Sequence, residues 1–258
     1  MKVVGIVQAR MASSRLPGKV LMPVLGKPLI IHELDRLVRS KLINELWLAT
    51  SDDASDDGLA EEVEKRGFRV YRGSQNDVLE RFSLLAQRAK ADVVVRLTGD
   101  CPLHDPEIVD FVISAFMHAN PARSYGSNIW PPTFPDGLDV EVFTFAALRD
   151  AADHCVQPLE REHVTPGIHG QFRDDKPEIV NVTAPADFSH LRWTLDYPED
   201  YAVIRAVFET LYPENPDFTW QDVLALMTKE PDLITRNRRT ERNETFVAAL
   251  EGYIESAK

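Results

Sequence analysis

The chain has 258 residues, and its 41 acidic against 29 basic side chains give a net charge of −12, which argues against broad nucleic-acid binding because most of the surface would repel phosphate. Its two cysteines, Cys101 and Cys155, lie far apart in sequence and outside metal-ligand spacing, so we expect neither a disulfide framework nor a zinc site. We therefore expect the protein to be located in the cytoplasm, which is a reducing compartment. No apolar run approaches the length that spans a bilayer, and the length suits one domain over residues 1–258 with a sizeable core.

The first predicted element is a buried strand over residues 3–7, which are almost all apolar. The loop that follows carries Arg10, Arg15 and Lys19. Ligands of open α/β sheets bind beyond the carboxyl ends of the strands, and guanidinium and ammonium groups form charge-assisted hydrogen bonds with phosphate. The segment therefore predicts a polyanion site; the alternative is a basic loop that is only solvated.

Helical and strand patterns then alternate as far as residue 119. Alternation of this kind predicts an α/β fold with right-handed crossovers and a mainly parallel sheet. The apolar spacing predicts helices at 28–40, 57–66, 77–90 and 106–119, and strands at 45–50, 68–71 and 92–98.

Asp100 follows the most apolar of these strands. An aspartate at a strand end is often a turn former or a helix cap, but Asp105 directly precedes Pro106 and is the better cap for the next helix. Asp100 is therefore left without a structural role, at a position suited to binding Mg²⁺.

The regular alternation stops near residue 120. A stretch rich in Pro, Gly, Ser and Asn at 121–136 predicts a long loop or the entry to a smaller lobe, which we place at about 121–190 and expect to serve acceptor binding or dimerisation. Beyond it we predict a strand at 139–145, helices at 146–155 and 159–171, an antiparallel pair or two added strands at 178–183 and 190–195, and helices at 198–211, 219–228 and 244–255.

Asp196 lies at the end of one of these later strands, just before Pro198. It could act only as a helix N-cap. Alternatively, Asp100 and Asp196 meet at one edge of a parallel sheet, where two carboxylates, water and phosphate oxygens would complete the shell of Mg²⁺.

Three of these segments also resemble a known family. The run from Gln8 to Lys19 resembles the nucleotide-binding signature of the sugar cytidylyltransferases, closest to their spore coat polysaccharide biosynthesis protein F branch; Gly99-Asp100-Cys-Pro102 and Asp196-Tyr-Pro198-Glu-Asp200 resemble two further motifs of that family. The resemblance implies a Rossmann-like sheet of the nucleotide-diphosphosugar transferase type flanked by helices. It also implies CTP and a sugar-type acceptor as substrates, Mg²⁺ as cofactor, and a homodimer.

The resemblance assigns roles to individual residues. Asp100 and Asp196 would bind the metal and, with Arg10 and Lys19, form the catalytic set. Arg72, Ser74 and Asp77 fall where the family borders the base and sugar, although Ser74 or Asp77 could equally be only a helix cap. The expected nucleotide-binding residues are Ala9, Arg10, Ser13, Ser14, Arg15, Lys19, Arg72, Ser74, Asp77 and Thr98, the last standing where the octulosonate enzymes have glutamine.

The expected acceptor-binding residues are Asp139, Glu141 and His163. Asp139 and Glu141 lie two residues apart on one face of a predicted strand, and Asp139 aligns with a histidine of the octulosonate enzymes. Paired carboxylates there would repel an acceptor carboxylate, favouring an acceptor with hydroxyls or an amine. The alternatives are ion pairs with nearby arginines or a second metal site, and for His163 a packing role.

The predicted activity is transfer of a cytidylyl group from CTP to a sugar or sugar-acid hydroxyl, with release of pyrophosphate. A nucleotide-diphosphosugar glycosyltransferase is one alternative, but the loop from Arg10 to Lys19 suits an intact triphosphate better. An inactive nucleotide-binding paralogue is another, and the presence of both Asp100 and Asp196 argues against it.

Overall fold

The computed structural model describes residues 1–119, 124–170 and 178–238, together with residues 242, 247 and 250. The described strands are β1 (Val3–Gln8), β2 (Pro23–Val24), β3 (Lys27–Pro28), β4 (Glu45–Ser51), β5 (Arg69–Gly73), β6 (Val93–Thr98), β7 (Tyr125–Ser127), β8 (Glu141–Thr144) and β9 (Val180–Asn181). The described α-helices are α1 (Leu29–Leu37), α2 (Asp57–Lys65), α3 (Val78–Ala89), α4 (Pro106–His118), α5 (Phe145–His154), α6 (Pro158–His163), α7 (Pro198–Leu211), α8 (Trp220–Lys229) and α9 (Asp232–Arg236).

One seven-stranded sheet organises the fold, in the order β5-β4-β1-β6-β8-β7-β9. Strands β5, β4, β1 and β6 are mutually parallel, β8 runs antiparallel to β6 and β7, and β9 is parallel to β7. The α/β class with a mainly parallel sheet is thus confirmed. Residues of the predicted lobe extend this sheet through β7, β8 and β9.

Side chains of β1 alternate between the two faces of the sheet. Val3 and Val7 belong to the core that packs on α1, α4, α7 and α8, whereas Val4 and Ile6 belong to the core that packs on α3 and α5. Both faces are therefore covered, as the continuous apolar run of this strand predicts. Helices on both faces leave the carboxyl ends of β1, β4 and β6 and their loops as the place for a site.

Three predicted elements differ from the structure. The helix at 159–171 ends at His163, because Val164 takes a left-handed φ of 67° and Pro166 disfavours helical backbone in the residue before it. Residues 178–183 contribute only the two-residue strand β9, parallel to β7. Residues 190–195 pair mainly with loops, through bonds from Asp136 N to Leu191 O (2.9 Å) and from Leu195 N to Asp100 O (2.8 Å).

The predicted helix at 244–255 falls almost entirely outside the described residues. In the part of the chain that is described, no helix combines the length and apolar character required to cross a lipid bilayer.

Candidate active site

The basic loop after β1 is held by a buried carboxylate that the sequence patterns did not single out. Asp56 is 1% exposed, and its Oδ1 accepts a hydrogen bond from Met11 N at 2.6 Å. Its Oδ2 accepts a hydrogen bond from Ser51 N at 3.1 Å, at the end of β4. The loop closes on itself through Gly18, whose left-handed φ of 70° suits glycine and whose N–H donates to Met11 O. These contacts fix the loop beside the ends of β1 and β4.

The loop brings Lys19 between the two aspartates assigned to metal binding. Lys19 Nζ lies 2.9 Å from Asp100 Oδ2 and 2.9 Å from Asp196 Oδ1. Arg15 Nη2 lies 2.6 Å from the same oxygen of Asp196. The structure thus brings together carboxylates that are 96 positions apart in sequence, with two cations of the loop between and beside them.

Mutual attraction keeps this cluster ionised. Burial alone would raise the pKa of Asp196, but Lys19 and Arg15 outweigh burial and lower it to about 2. Burial likewise opposes the shift at Asp100, where Lys19 holds the pKa below its usual value. Burial lowers and both aspartates raise the pKa of Lys19, and the net direction is upward. Around neutral pH the site therefore holds two carboxylates and a protonated lysine.

Asp196 is oriented by an arginine and is not a helix cap. Tyr197 is the N-cap of α7, and Asp200 accepts the backbone N–H groups of Asp196 (2.9 Å) and Tyr197 (3.0 Å). The side chain of Asp196 is therefore free to meet Arg192, whose Nη2 donates to Asp196 Oδ2 at 2.9 Å. In the same way Asp105 caps α4, accepting from Glu107 N at 2.8 Å, which leaves Asp100 for the site.

A cavity of about 470 Å³ opens beside this cluster. Its walls include Arg15, Thr98, Asp100 and Asp196 on one side, and on the other the three residues expected to bind the acceptor, Asp139, Glu141 and His163. The cavity thus joins the predicted triphosphate loop and the predicted acceptor residues in one site.

Each acidic residue of the acceptor wall is paired with an arginine. Glu141 forms an ion pair with Arg96 and accepts a hydrogen bond from Tyr125 Oη at 2.5 Å, while Asp139 forms an ion pair with Arg242. The ion-pair alternative is therefore the arrangement in the structure, and the expected repulsion of an acceptor carboxylate is correspondingly weaker. Burial lowers the pKa of His163, which favours a neutral imidazole in the same wall.

Sequence reasoning missed Asp136 and Arg192, which connect the two halves of the site. Arg192 Nη1 donates to Asp136 Oδ2 at 3.0 Å while its Nη2 holds Asp196. Gly137 allows this contact: its φ is +107°, and a Cβ there would lie 2.6 Å from the carbonyl carbon of Trp193. The Asp136-Gly137 pair was a visible turn signal, but the pairing with a residue 56 positions away was not.

The remaining nucleotide-binding residues lie at the edge of the site or outside it. Ala9 is buried at the end of β1, Ser13 Oγ accepts from Leu16 N at 3.3 Å, and Ser14 is exposed. Arg10 is also exposed and reaches Glu162 at 3.6 Å. None of these four residues lines the cavity in this state, so their contacts with a nucleotide stay a prediction.

Arg72, Ser74 and Asp77 are engaged in local structure. Arg72 donates to Ser51 O at 2.9 Å, and Ser74 Oγ accepts from Asp77 N at 3.1 Å. Asp77 is the N-cap of α3, accepting from Glu80 N at 2.9 Å. The cap alternative is thus the one the structure contains, while their nucleoside contacts stay a prediction.

We expect Asp77→Ala to lower the free energy of unfolding by about 1–2 kcal/mol, because it removes an N-cap and the ion pair of Asp77 with Arg161. Urea denaturation measures the loss. Asp77→Asn is the matched control, since asparagine caps as well as aspartate, and it should lose less. A variant as stable as wild type but with tenfold weaker CTP binding would instead support the nucleoside role.

The carboxylates of Asp100 and Asp196 fit a divalent cation that also binds phosphate. Among the described residues, no group of three or more His, Cys, Asp or Glu side chains could hold a metal ion. Mg²⁺, however, usually takes only one or two carboxylates and completes its shell with water and substrate phosphates. Lys19 Nζ already shows that a cation sits favourably between the two groups.

Comparisons with known proteins point to one family. The family model described as cytidylyltransferase matches residues 4–190. The chain is 36% identical to the spore coat polysaccharide biosynthesis protein SpsF of Bacillus subtilis over 238 residues, 89% of this chain and 95% of that protein. It is 35% identical to the 3-deoxy-manno-octulosonate cytidylyltransferase of Geobacter sulfurreducens over 129 residues, 49% of this chain and 50% of that one.

A solved structure extends the similarity to the whole fold. A cytidylyltransferase from Leptospira borgpetersenii superposes with a TM-score of 0.85 and 32% identity, covering 93% of this chain and 99% of that chain. The sequence motifs, the sheet and these relatives together place the chain in the cytidylyltransferase family.

Proposed function

We propose that this protein transfers the cytidylyl group of CTP to a hydroxyl of a sugar or sugar acid, releasing pyrophosphate, in the synthesis of a cell-surface polysaccharide. The observation that carries the proposal is the cluster of Lys19, Asp100 and Asp196 beside a cavity of about 470 Å³, a volume suited to a small-molecule acceptor. The polysaccharide context rests on the similarity to the spore coat protein. A cytoplasmic homodimer remains our expectation, and size-exclusion chromatography with light scattering tests the dimer.

Binding of the triphosphate would use the cations of the loop. Arg15 and Lys19 lie together beside the two carboxylates, where outer phosphate oxygens can replace Asp196 as their partner. Their charge would then stabilise the pyrophosphate as negative charge builds on it. Arg10, already exposed, can join them by leaving its 3.6 Å contact with Glu162.

Asp100 and Asp196 would hold Mg²⁺ with the phosphates. The ion would supply Lewis-acid polarisation of the α-phosphate and charge neutralisation. Arg192 and the backbone N–H groups bound by Asp200 keep Asp196 in place, so little ordering is needed when substrate binds. The cavity wall orients the acceptor for in-line attack, and positioning of this kind contributes much of the rate.

The alternatives are less well supported. A diphosphosugar glycosyltransferase has no evident need for two cations placed against both carboxylates. In a paralogue without activity, no chemistry would require two ionised carboxylates, Asp100 and Asp196, to line the same cavity. Pyrophosphate release distinguishes the three classes, because only a nucleotidyltransferase forms it in proportion to a nucleoside monophosphate sugar.

The test is pyrophosphate release from CTP, UTP and ATP with Mg²⁺ and a panel of acceptors: 3-deoxy-manno-octulosonate, N-acetylneuraminate and glucosamine. We expect release with CTP that depends on one acceptor. Release of a nucleoside diphosphate from a diphosphosugar would support the glycosyltransferase instead, and binding of CTP without turnover of any acceptor would support the inactive paralogue.

A further inference from the structure

Asp136 is a buried carboxylate in the acceptor cavity, and among the described residues only one of its two oxygens lies within hydrogen-bonding distance of an arginine. It lines the cavity and is 7% exposed. Its Oδ2 accepts a hydrogen bond from Arg192 Nη1 at 3.0 Å. Its Oδ1 lies 3.9 Å from Arg242 Nε, beyond hydrogen-bonding distance, and that Nε has no hydrogen-bond partner among the described residues. A hydroxyl that enters the cavity beside this carboxylate could give its proton to Oδ1.

The position of Asp136 relative to the reaction centre is fixed by a single guanidinium. Arg192 holds Asp136 through Nη1 and Asp196 through Nη2, at 3.0 and 2.9 Å. Asp136 is therefore separated from a carboxylate of the nucleotide side by the width of one planar group, and it stands on the acceptor side of that group. Since Asp136, Arg192 and Asp196 all line the cavity, a hydroxyl bound there can lie close to both carboxylates.

The other acidic groups of the wall are less suited to taking a proton. Glu141 is held by Arg96 and Tyr125, and these partners outweigh burial to lower its pKa. Burial raises the pKa of Asp139 as well, but its carboxylate forms an ion pair with Arg242, which leaves it less available to a substrate hydroxyl than Oδ1 of Asp136. Burial lowers the pKa of His163, which lines the same wall, so its neutral imidazole is the other candidate for the general base.

We propose that Asp136 is the general base of the reaction and accepts the proton of the attacking acceptor hydroxyl at Oδ1. The inference rests on the cytidylyl-transfer function proposed above. The O–H bond of the acceptor breaks and its proton passes to Asp136, while the acceptor oxygen forms a bond to the α-phosphorus. The bond from the α-phosphorus to the bridging oxygen breaks, and pyrophosphate leaves with the electron pair. Asp136 then returns the proton to solvent.

The electrostatic surroundings suit this role. Burial, with the charge of Asp139 and a smaller contribution from Asp100, raises the pKa of Asp136 to about 7, although Arg242 and Arg192 oppose the shift. A base is most effective when its pKa lies near the working pH. Since the deprotonated carboxylate is the active form, turnover should fall as pH drops through about 7.

The first test compares Asp136→Asn and His163→Gln with wild type, with CTP and whichever of 3-deoxy-manno-octulosonate, N-acetylneuraminate and glucosamine the wild type uses. We expect Asp136→Asn to lower kcat by about 10²–10⁴-fold, the usual contribution of a general base, and to abolish the fall of kcat at low pH. CTP affinity should change far less than kcat. Thermal unfolding measures separately any stability lost from the buried pair of Asp136 with Arg192. Formate should restore part of the kcat of Asp136→Ala, because it can supply the missing carboxylate. A kcat within tenfold of wild type, or loss of the low-pH limb only in His163→Gln, overturns the assignment.

A second variant tests the same base without removing it. Because the charge of Asp139 raises the pKa of Asp136, Asp139→Asn should move the low-pH limb of kcat to lower pH. An unmoved limb contradicts the assignment even if Asp136→Asn fails to fold. Failure of the wild-type protein to release pyrophosphate with any of the three acceptors would contradict the proposed function itself, whereas an active wild type with an unchanged Asp136→Asn contradicts only the role of Asp136.

Discussion

Asp100→Asn and Asp196→Asn should each lower kcat/KM for CTP by about 10³-fold, measured by Mg²⁺-dependent pyrophosphate release. A metal ion supplies several kcal/mol of charge stabilisation in such reactions, and about 1.4 kcal/mol corresponds to a factor of ten in rate. Each substitution neutralises one of the two carboxylates that Lys19 now bridges. Both groups would serve one ion, so the double variant should be only slightly worse than either single one.

The matched control is Asp35→Asn, which neutralises another aspartate paired with a lysine. Asp35 lies on helix α1, and its Oδ2 is 2.7 Å from Lys27 Nζ. Asp35 does not line the cavity. Its kcat/KM should equal that of wild type. Binding of Mn²⁺ in the presence of CTP, followed by electron paramagnetic resonance, should weaken in the two site variants and not in the control. Near-normal turnover in one site variant would remove that residue from the metal site.

Local patterns predicted the parts of this site that depend on neighbouring residues. Asp105 was recognised as the cap of α4 because it precedes Pro106, and this left Asp100 for chemistry. The expected approach of Asp196 to Asp100 is present, but not for the expected reason. Residues 190–195 form no strand of the sheet, and Leu195 N instead donates to Asp100 O at 2.8 Å. The resemblance of these motifs to the family then predicted that these positions serve a nucleotide site.

What the sequence could not show depends on distant partners. Asp56 anchors a loop residue 45 positions away in sequence. Arg192 bonds to Asp136, which is 56 positions away, and to Asp196, which is 4 positions away. Such pairs form only after the sheet is assembled, and no periodicity marks them. The end of α6 was missed because the left-handed backbone of Val164 is rare for a β-branched residue.

Lys19→Met should weaken CTP binding by about tenfold to a hundredfold and CMP binding much less, measured by isothermal titration calorimetry. A hydrogen bond to a charged group is worth about 1.5–3 kcal/mol, and about 1.4 kcal/mol is a factor of ten in affinity. The lost ammonium would serve the outer phosphates, which CMP lacks. Arg10→Ala should discriminate between the two nucleotides in the same direction, because Arg10 is exposed and only weakly held at 3.6 Å from Glu162.

The position of Lys19 between the two carboxylates also affects metal binding. Lys19 occupies the space where a cation would meet both Asp100 and Asp196, so its ammonium competes with metal when no nucleotide is bound. Lys19→Met should therefore bind Mn²⁺ more tightly than wild type without nucleotide, even as it binds CTP more weakly. Lys27→Met, which removes the ammonium from the Asp35 pair, should change neither affinity. Equal weakening of CTP and CMP by Lys19→Met would place Lys19 at the base or ribose, and unchanged Mn²⁺ binding would show that its ammonium does not compete for the metal position.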